Sequence, residues 1–175
     1  MRDAINKDRE PVNSGHRPFF RIFFLIGLAV LACVFVWYGN QLVISVIPED
    51  GQQVYRFTTH VGDEWHYTYK HSVQQTLCEE YFKIKGPRNM VLTYTRFQSY
   101  GVGLPCYVDD GQFTQTEDGH FILAIHRQFK DIQFRTQDIP QPKLFIDGKE
   151  LPIYQLYKSG SLVVVSVDKR YKSWF

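Results

Sequence analysis

Cysteine and methionine are nearly missing from this 175-residue chain, which has three Cys and two Met. Three cysteines are too few to build a disulfide-stapled miniprotein, so the fold must rest on a hydrophobic core. A charge excess is missing too. Twenty Lys and Arg stand against eighteen Asp and Glu, which excludes a strongly basic nucleic-acid binder on bulk charge. Gly101-Val102-Gly103-Leu104-Pro105 lacks the lysine, the length and the following helix of a phosphate loop. There is no G-x-S-x-G elbow. Asp109-Asp110-Gly111 and Glu117-Asp118-Gly119 lack the alternate-oxygen spacing of a calcium loop. His60, His66, His71, His120 and His126 have no tight ligand spacing with Cys or carboxylate. No catalytic residue, metal or cofactor is therefore expected. Internal repeats, low-complexity tracts and strand–helix alternation are also absent, which argues against a parallel α/β domain.

What is present begins with one long apolar run. Phe19 to Tyr38 holds 18 apolar residues in 20, interrupted by Arg21 and Gly27. As a helix this reaches roughly 30 Å, the thickness of a bilayer's hydrocarbon core. It offers no polar face, unlike a helix of a soluble domain. Arg21 can snorkel to the headgroups on one side, and Trp37 and Tyr38 fit the opposite interface. Arg2, Lys7, Arg9, Arg17 and Arg21 precede the run, and no Lys or Arg follows until Arg56. The positive-inside rule then places the N-terminus in the cytoplasm and the rest outside, a single-pass protein of the cytoplasmic membrane. Two other fates stay open: a cleaved signal peptide, and a lipoprotein acylated at Cys33 of Val30-Leu31-Ala32-Cys33. The charge divides accordingly. Residues 1–38 carry five basic and three acidic residues, and residues 39–175 carry fifteen of each. The expected organisation is a disordered tail over 1–18, a transmembrane helix over 19–38 and an external domain over 39–175.

The external part reads as all-β: an antiparallel sandwich or partly closed barrel. Short runs rich in Val, Ile, Thr, Tyr and Phe alternate with Gly, Pro, Asn and Asp. The expected strands are 41–47, 54–60, 64–72, 79–85, 90–97, 112–117, 120–126, 131–136, 143–147, 150–157 and 161–167. Leu162-Val163-Val164-Val165-Ser166-Val167 is apolar enough for a central strand. Asp168 to Lys172 is a basic end, read as a solvated tail or a second contact with the membrane surface. Strand parity puts Trp65, Tyr67, Tyr69 and His71 on one face, Glu80 with Phe82 and Ile84, and Arg96 with Met90, Leu92 and Tyr94. A glutamate and an arginine thus each end an apolar row, and a Glu80–Arg96 pair is expected, because a buried charge needs a partner.

Two segments carry a resemblance. One runs from Tyr69 through His71-Ser72-Val73-Gln74-Gln75-Thr76-Leu77-Cys78-Glu79-Glu80 to Tyr81. The other is Thr95-Arg96-Phe97-Gln98-Ser99-Tyr100-Gly101-Val102-Gly103-Leu104-Pro105. Together they resemble the DUF1850 family of bacterial proteins of unknown function, whose pattern runs H-S-V-E-x-T-x-W-E-E and then R-F-x-S-F-G-A-G-L-P. The resemblance covers about residues 41–150. The chain departs at Gln74, Cys78 and Val102, and the lost carboxylate at Gln74 argues against a metal site. The resemblance implies a small β-rich domain behind one membrane segment. It also implies an association with TAXI-type TRAP transporters, which import organic acids with a solute-binding protein.

The polar set to test is Lys70, His71, Ser72, Glu79, Glu80 and Arg96. It reads either as a structural network at a strand end, or as a site where Arg96 and Lys70 hold a carboxylate of a small organic acid or of a partner protein. Catalysis is the poor reading, since His71 and Ser72 are strand neighbours that point apart. The leading expectation is a non-catalytic accessory or binding component beside the TRAP permease or its solute-binding protein; the alternative is a structural envelope module without ligand. Cys78 and Cys106, both external, would close a loop of about 27 residues, and a bridge there would stabilise by roughly 3 kcal/mol.

Overall fold

The computed structural model describes residues 17–71, 75–98 and 112–174. Its contacts divide the chain into two units, 1–38 and 39–175. The first contains most of α1 (Arg17–Asn40), a helix whose apolar span of 22 residues, Phe19–Asn40, is long and apolar enough to cross a membrane.

The second unit is mostly β: two antiparallel sheets that do not close into a barrel. The strands are β1 (Leu42–Pro48), β2 (Tyr55–Thr59), β3 (Glu64–Lys70), β4 (Leu77–Gly86), β5 (Asn89–Phe97), β6 (Gln112–Gln115), β7 (Phe121–Phe129), β8 (Asp131–Arg135), β9 (Lys143–Ile146), β10 (Lys149–Leu151) and β11 (Leu162–Lys169). One sheet has the order β2-β1-β11-β8, the other β10-β9-β3-β4-β5-β7-β6. β11 is central, as its apolar run predicts: Val163, Val165 and Val167 are buried and the strand pairs with β1 and β8. These valines, with Ile44 and Val46 of β1, form one cluster with Trp65, Phe82, Ile84, Met90, Leu92 and Leu144 of the larger sheet. The two inner faces therefore make a single sandwich core.

Turn chemistry sets the connections. Asp147 and Gly148, both at positive φ (51° and 69°), join β9 to β10 in the tight turn that Asp-Gly favours. Pro87 and Arg88 join β4 to β5. Arg88 adopts φ 52°, unusual for a residue with a Cβ, and its neighbours hold it there. Its backbone N–H donates to Val167 O at 2.7 Å, and its Nη2 donates to Asp131 Oδ2 at 2.7 Å. This turn of the larger sheet is thereby fastened to β11 and β8 of the smaller one.

Two expectations fail locally. The strand expected over 150–157 is only β10, because Pro152 ends it and Ile153–Leu156 (α2) forms one turn of helix. The basic end is not a loose tail: β11 runs on to Lys169, and Arg170–Trp174 is a 3-10 helix. Arg170 N–H donates to Gln41 O at 2.8 Å, which ties that helix to the start of β1.

Candidate functional site

The adjacent glutamates separate. β4 and β5 pair with Glu79 opposite Arg96 and Glu80 opposite Thr95. Neighbours on a strand point to opposite faces, so Glu79 lies on the outer face of the larger sheet and Glu80 on the inner one.

On the outer face, Arg96 Nη1 donates to Glu79 Oε2 at 3.2 Å and Nη2 to Asp118 Oδ2 at 2.8 Å. The expected Glu80–Arg96 pair is thus replaced by a Glu79–Arg96–Asp118 bridge. The cause is a bulge. The register between β4 and β5 shifts where Thr93 has no partner, and Thr93 Oγ1 donates to Tyr81 O at 3.0 Å. One extra residue reverses the parity of everything after it: Thr95 and Phe97 turn inward with Met90 and Leu92, and Tyr94 and Arg96 turn outward. Asp118 is fixed further by the Thr116 hydroxyl, which donates to its Oδ1, and by His120 Nδ1 2.9 Å from Oδ2. These contacts, the Thr116 bond first, hold its carboxyl well below the usual range. An aromatic row crosses the same face, with Phe145 to His66 at 4.4 Å, His66 to Tyr81 at 4.8 Å and Tyr81 to Tyr94 at 4.2 Å between ring centroids. Burial in this row lowers the pKa of His66 and pushes Tyr94 up to about 12.

Lys70 ends β3 exposed, and its backbone N–H donates to Pro140 O at 2.7 Å. His71 is buried. Its N–H donates to Thr76 O and its C=O accepts from Gln75 N–H, each at 2.8 Å, which fixes the turn into β4. Ser72, Gln74, Cys106 and the Gly101–Pro105 segment lie outside the described residues. Cys78 is a fully buried free thiol. Burial, then the nearby Glu80 charge, pushes it up to about 11, so it is inert at neutral pH.

The inner face holds an arrangement that motif reading passed over. Seven strands span about 29 Å and four only about 14 Å, so the smaller sheet leaves part of the larger one uncovered. Along its edge strand β8 a cleft of about 500 Å³ opens between the sheets. Tyr67, Tyr69, Glu80 and Phe82 line it from β3 and β4, and Phe129 and residues 131–134 line it from β7 and β8. Tyr67 stacks on Tyr69 (5.1 Å) and across the cleft on Phe134 (4.7 Å). Glu80 Oε1 accepts from Tyr69 Oη at 3.3 Å. Burial raises the Glu80 pKa, and the Tyr69 bond offsets part of this. Asp131 is neutralised by Arg88 and accepts from Gln133 Nε2 at 3.0 Å. The sequence signal for the cleft was the parity of β3 and β4, which put Tyr67, Tyr69 and Glu80 inside. Nothing in the sequence brought β8 across to face them. Among the described residues, no group of three or more His, Cys, Asp or Glu could hold a metal ion.

The fold and site define a class: an unclosed two-sheet β-domain behind one long N-terminal apolar helix, with an aromatic cleft holding one uncompensated carboxyl between its sheets. Within that class the relevant family is the domain of unknown function DUF1850, whose model matches residues 65–153, and the chain belongs to it. The matched span runs from Trp65 in β3 to Ile153 in α2. It holds every strand of the larger sheet, β8 and all the cleft residues, while β1, β2 and β11 lie outside it. No curated protein and no solved structure matches the chain.

Proposed function

We propose that the chain is a membrane-anchored, non-catalytic binding component of the extracytoplasmic side, and that its ligand enters the inter-sheet cleft. One observation carries this reading: Glu80, a carboxyl raised in pKa, stands in an aromatic cleft of ligand size with one long hydrogen bond. A site of pure packing has no use for a carboxyl there. The non-catalytic part rests on Tyr69, whose phenol is pushed upward by burial and by Glu80, the reverse of an activated nucleophile. Arg96 belongs to the outer face in this reading. Two carboxylates already occupy its Nη atoms, which speaks against a free carboxylate there, while Lys70 remains as an exposed cation for an acidic side chain of a partner. The partner proposed is the TRAP permease or its solute-binding protein, on the strength of the family resemblance alone.

A thermal-shift screen of the full-length chain in non-ionic detergent tests the binding claim. A true ligand at 100 times its Kd adds about 2.7 kcal/mol of stability; a silent screen sinks the claim. Crosslinking in membranes tests the partner: recovery of the chain alone counts against a transporter subunit. The anchor is tested by fractionation. The chain is expected to stay in the membrane after alkaline carbonate and to run at its full 20.6 kDa; release or shortening indicates a cleaved signal sequence. Arg96→Ala is expected to lower stability by about 1 kcal/mol, because Glu79 and Asp118 lose a partly exposed cation. It should leave ligand affinity unchanged, since Arg96 is on the other face of the sheet. A loss of binding in this variant, with the melt preserved, would return the site to the outer face.

A further inference from the structure

We infer that the cleft takes an organic cation, an ammonium group carried on an apolar body; this rests on the cleft being the binding site argued above. Charge and shape both point there. Two carboxyls, Glu80 and Asp131, line the cleft, and no Lys, Arg or His does so among the described residues. Asp131 already has its cation, Arg88 at 2.7 Å. Glu80 has none within ion-pair distance among the described residues, only the Tyr69 hydroxyl at 3.3 Å. An anion would meet like charge, and a neutral ligand would leave Glu80 uncompensated. A cation supplies the missing partner. The remaining walls suit it too. Tyr67, Tyr69, Phe129 and Phe134 are each only partly buried, and aromatic faces attract a desolvated ammonium. The Tyr67–Phe134 stack joins the two sheets at one side, so the apolar body would lie between rings with its charged end at Glu80. The volume of about 500 Å³ exceeds what an ammonium alone fills and matches a small amine with an aryl or alkyl body.

Three probes with one body and three charges separate the possibilities: phenethylammonium, phenethyl alcohol and phenylacetate. Each is titrated by calorimetry into the full-length chain in non-ionic detergent. Phenethylammonium is expected to bind about tenfold more tightly than the alcohol, or about 1.4 kcal/mol, with phenylacetate weakest. Glu80→Gln should bring the ammonium down to the level of the alcohol and leave the alcohol unchanged, which also shows that the variant is folded. Phe134→Ala, on the opposite wall at a strand edge, should weaken all three probes together. Should Glu80→Gln fail to fold, the wild-type ratio and the Phe134 variant decide. Equal or better binding of the alcohol or of phenylacetate overturns the charge assignment and leaves the cleft as a binding site. An ammonium preference that survives Glu80→Gln, or an ammonium affinity untouched by Phe134→Ala, places the cation elsewhere and overturns it too. If neither these probes nor any compound of the broad screen binds, the binding reading itself falls.

Discussion

Replacing Phe82 by alanine is expected to lower the unfolding free energy by about 3–5 kcal/mol, the range for deleting a buried aromatic side chain. Phe82 is 1% exposed and sits at the centre of the larger sheet's inner face. It stacks on Trp65 at 4.5 Å and meets Phe129 edge-on at 6.0 Å. Alanine would leave Trp65 without its stacking partner and open the space between the core and the cleft. Strand backbones that are paired on both sides cannot collapse into such a gap. Marginal domains hold only about 5–15 kcal/mol in total, so the melt should fall by on the order of 10 °C or more. Phe82→Leu keeps most of the volume and should cost under about 2 kcal/mol. Ile47→Ala, at a position 39% exposed, should stay within about 0.5 kcal/mol. Denaturant titration of the full-length chain, followed by near-ultraviolet circular dichroism, checks the order. A Phe82→Ala loss no larger than that of Ile47→Ala would mean that the two sheets do not share one core.

The architecture was legible because strands with one buried face announce themselves by period two. β3 shows this best, with Trp65, Tyr67 and Tyr69 on one face; β11 was legible by a different signal, a near-continuous apolar run that marks a central strand before any partner is known. The β9–β10 turn was legible for an equally local reason, since Asp147-Gly148 tolerates the dihedrals that a tight reversal needs; at the β4–β5 turn only Pro87 acts locally, and Arg88 is held at φ 52° by its bonds to Val167 and Asp131. What parity could not supply was the bulge at Thr93, where one unpaired residue moves Arg96 from the core row to the outer face and gives it Glu79 instead of Glu80. No residue type marks Thr93 as the extra one; the register between β4 and β5 settles it, and register depends on partners far along the chain. The cleft was half legible for the same reason. Tyr67, Tyr69 and Glu80 follow from two neighbouring strands, but Phe134 arrives opposite them through the crossing from β7 to β8, 54 to 67 residues later in the chain. The short helix after β10 shows a plainer limit: Pro152 cannot donate to a strand ladder, and the chain turns there.

Glu80→Gln is expected to make the domain more stable at neutral pH, by about 1–2 kcal/mol, the scale of relieving a buried charge that has one weak hydrogen bond. The sign follows from linkage. Burial raises the folded-state pKa of Glu80 above the ordinary 4.5, so the folded state binds that proton more readily than the unfolded chain does. Stability attached to this group is full below 4.5 and is lost as pH rises through the raised value. Glutamine has nothing to ionise and escapes the loss. The melting temperatures of the two proteins should therefore coincide below the ordinary carboxyl pKa and separate as pH rises through the raised one, the variant above the wild type. Asp63 and Asp118 are shifted the other way by their hydrogen bonds, but they act equally in both proteins and cancel in the difference. Parallel curves, or a wild type that gains on the variant as pH rises, would mean that Glu80 already has a cationic partner, and the cleft would lose its reason to bind one. The expected result makes the opposite point. A carboxyl that weakens the fold when ionised, and that glutamine could replace with a gain, is a stability sacrifice of the kind that functional sites make. A bound ammonium would reverse it, because the charge that destabilises the empty cleft is the one that would hold the ligand.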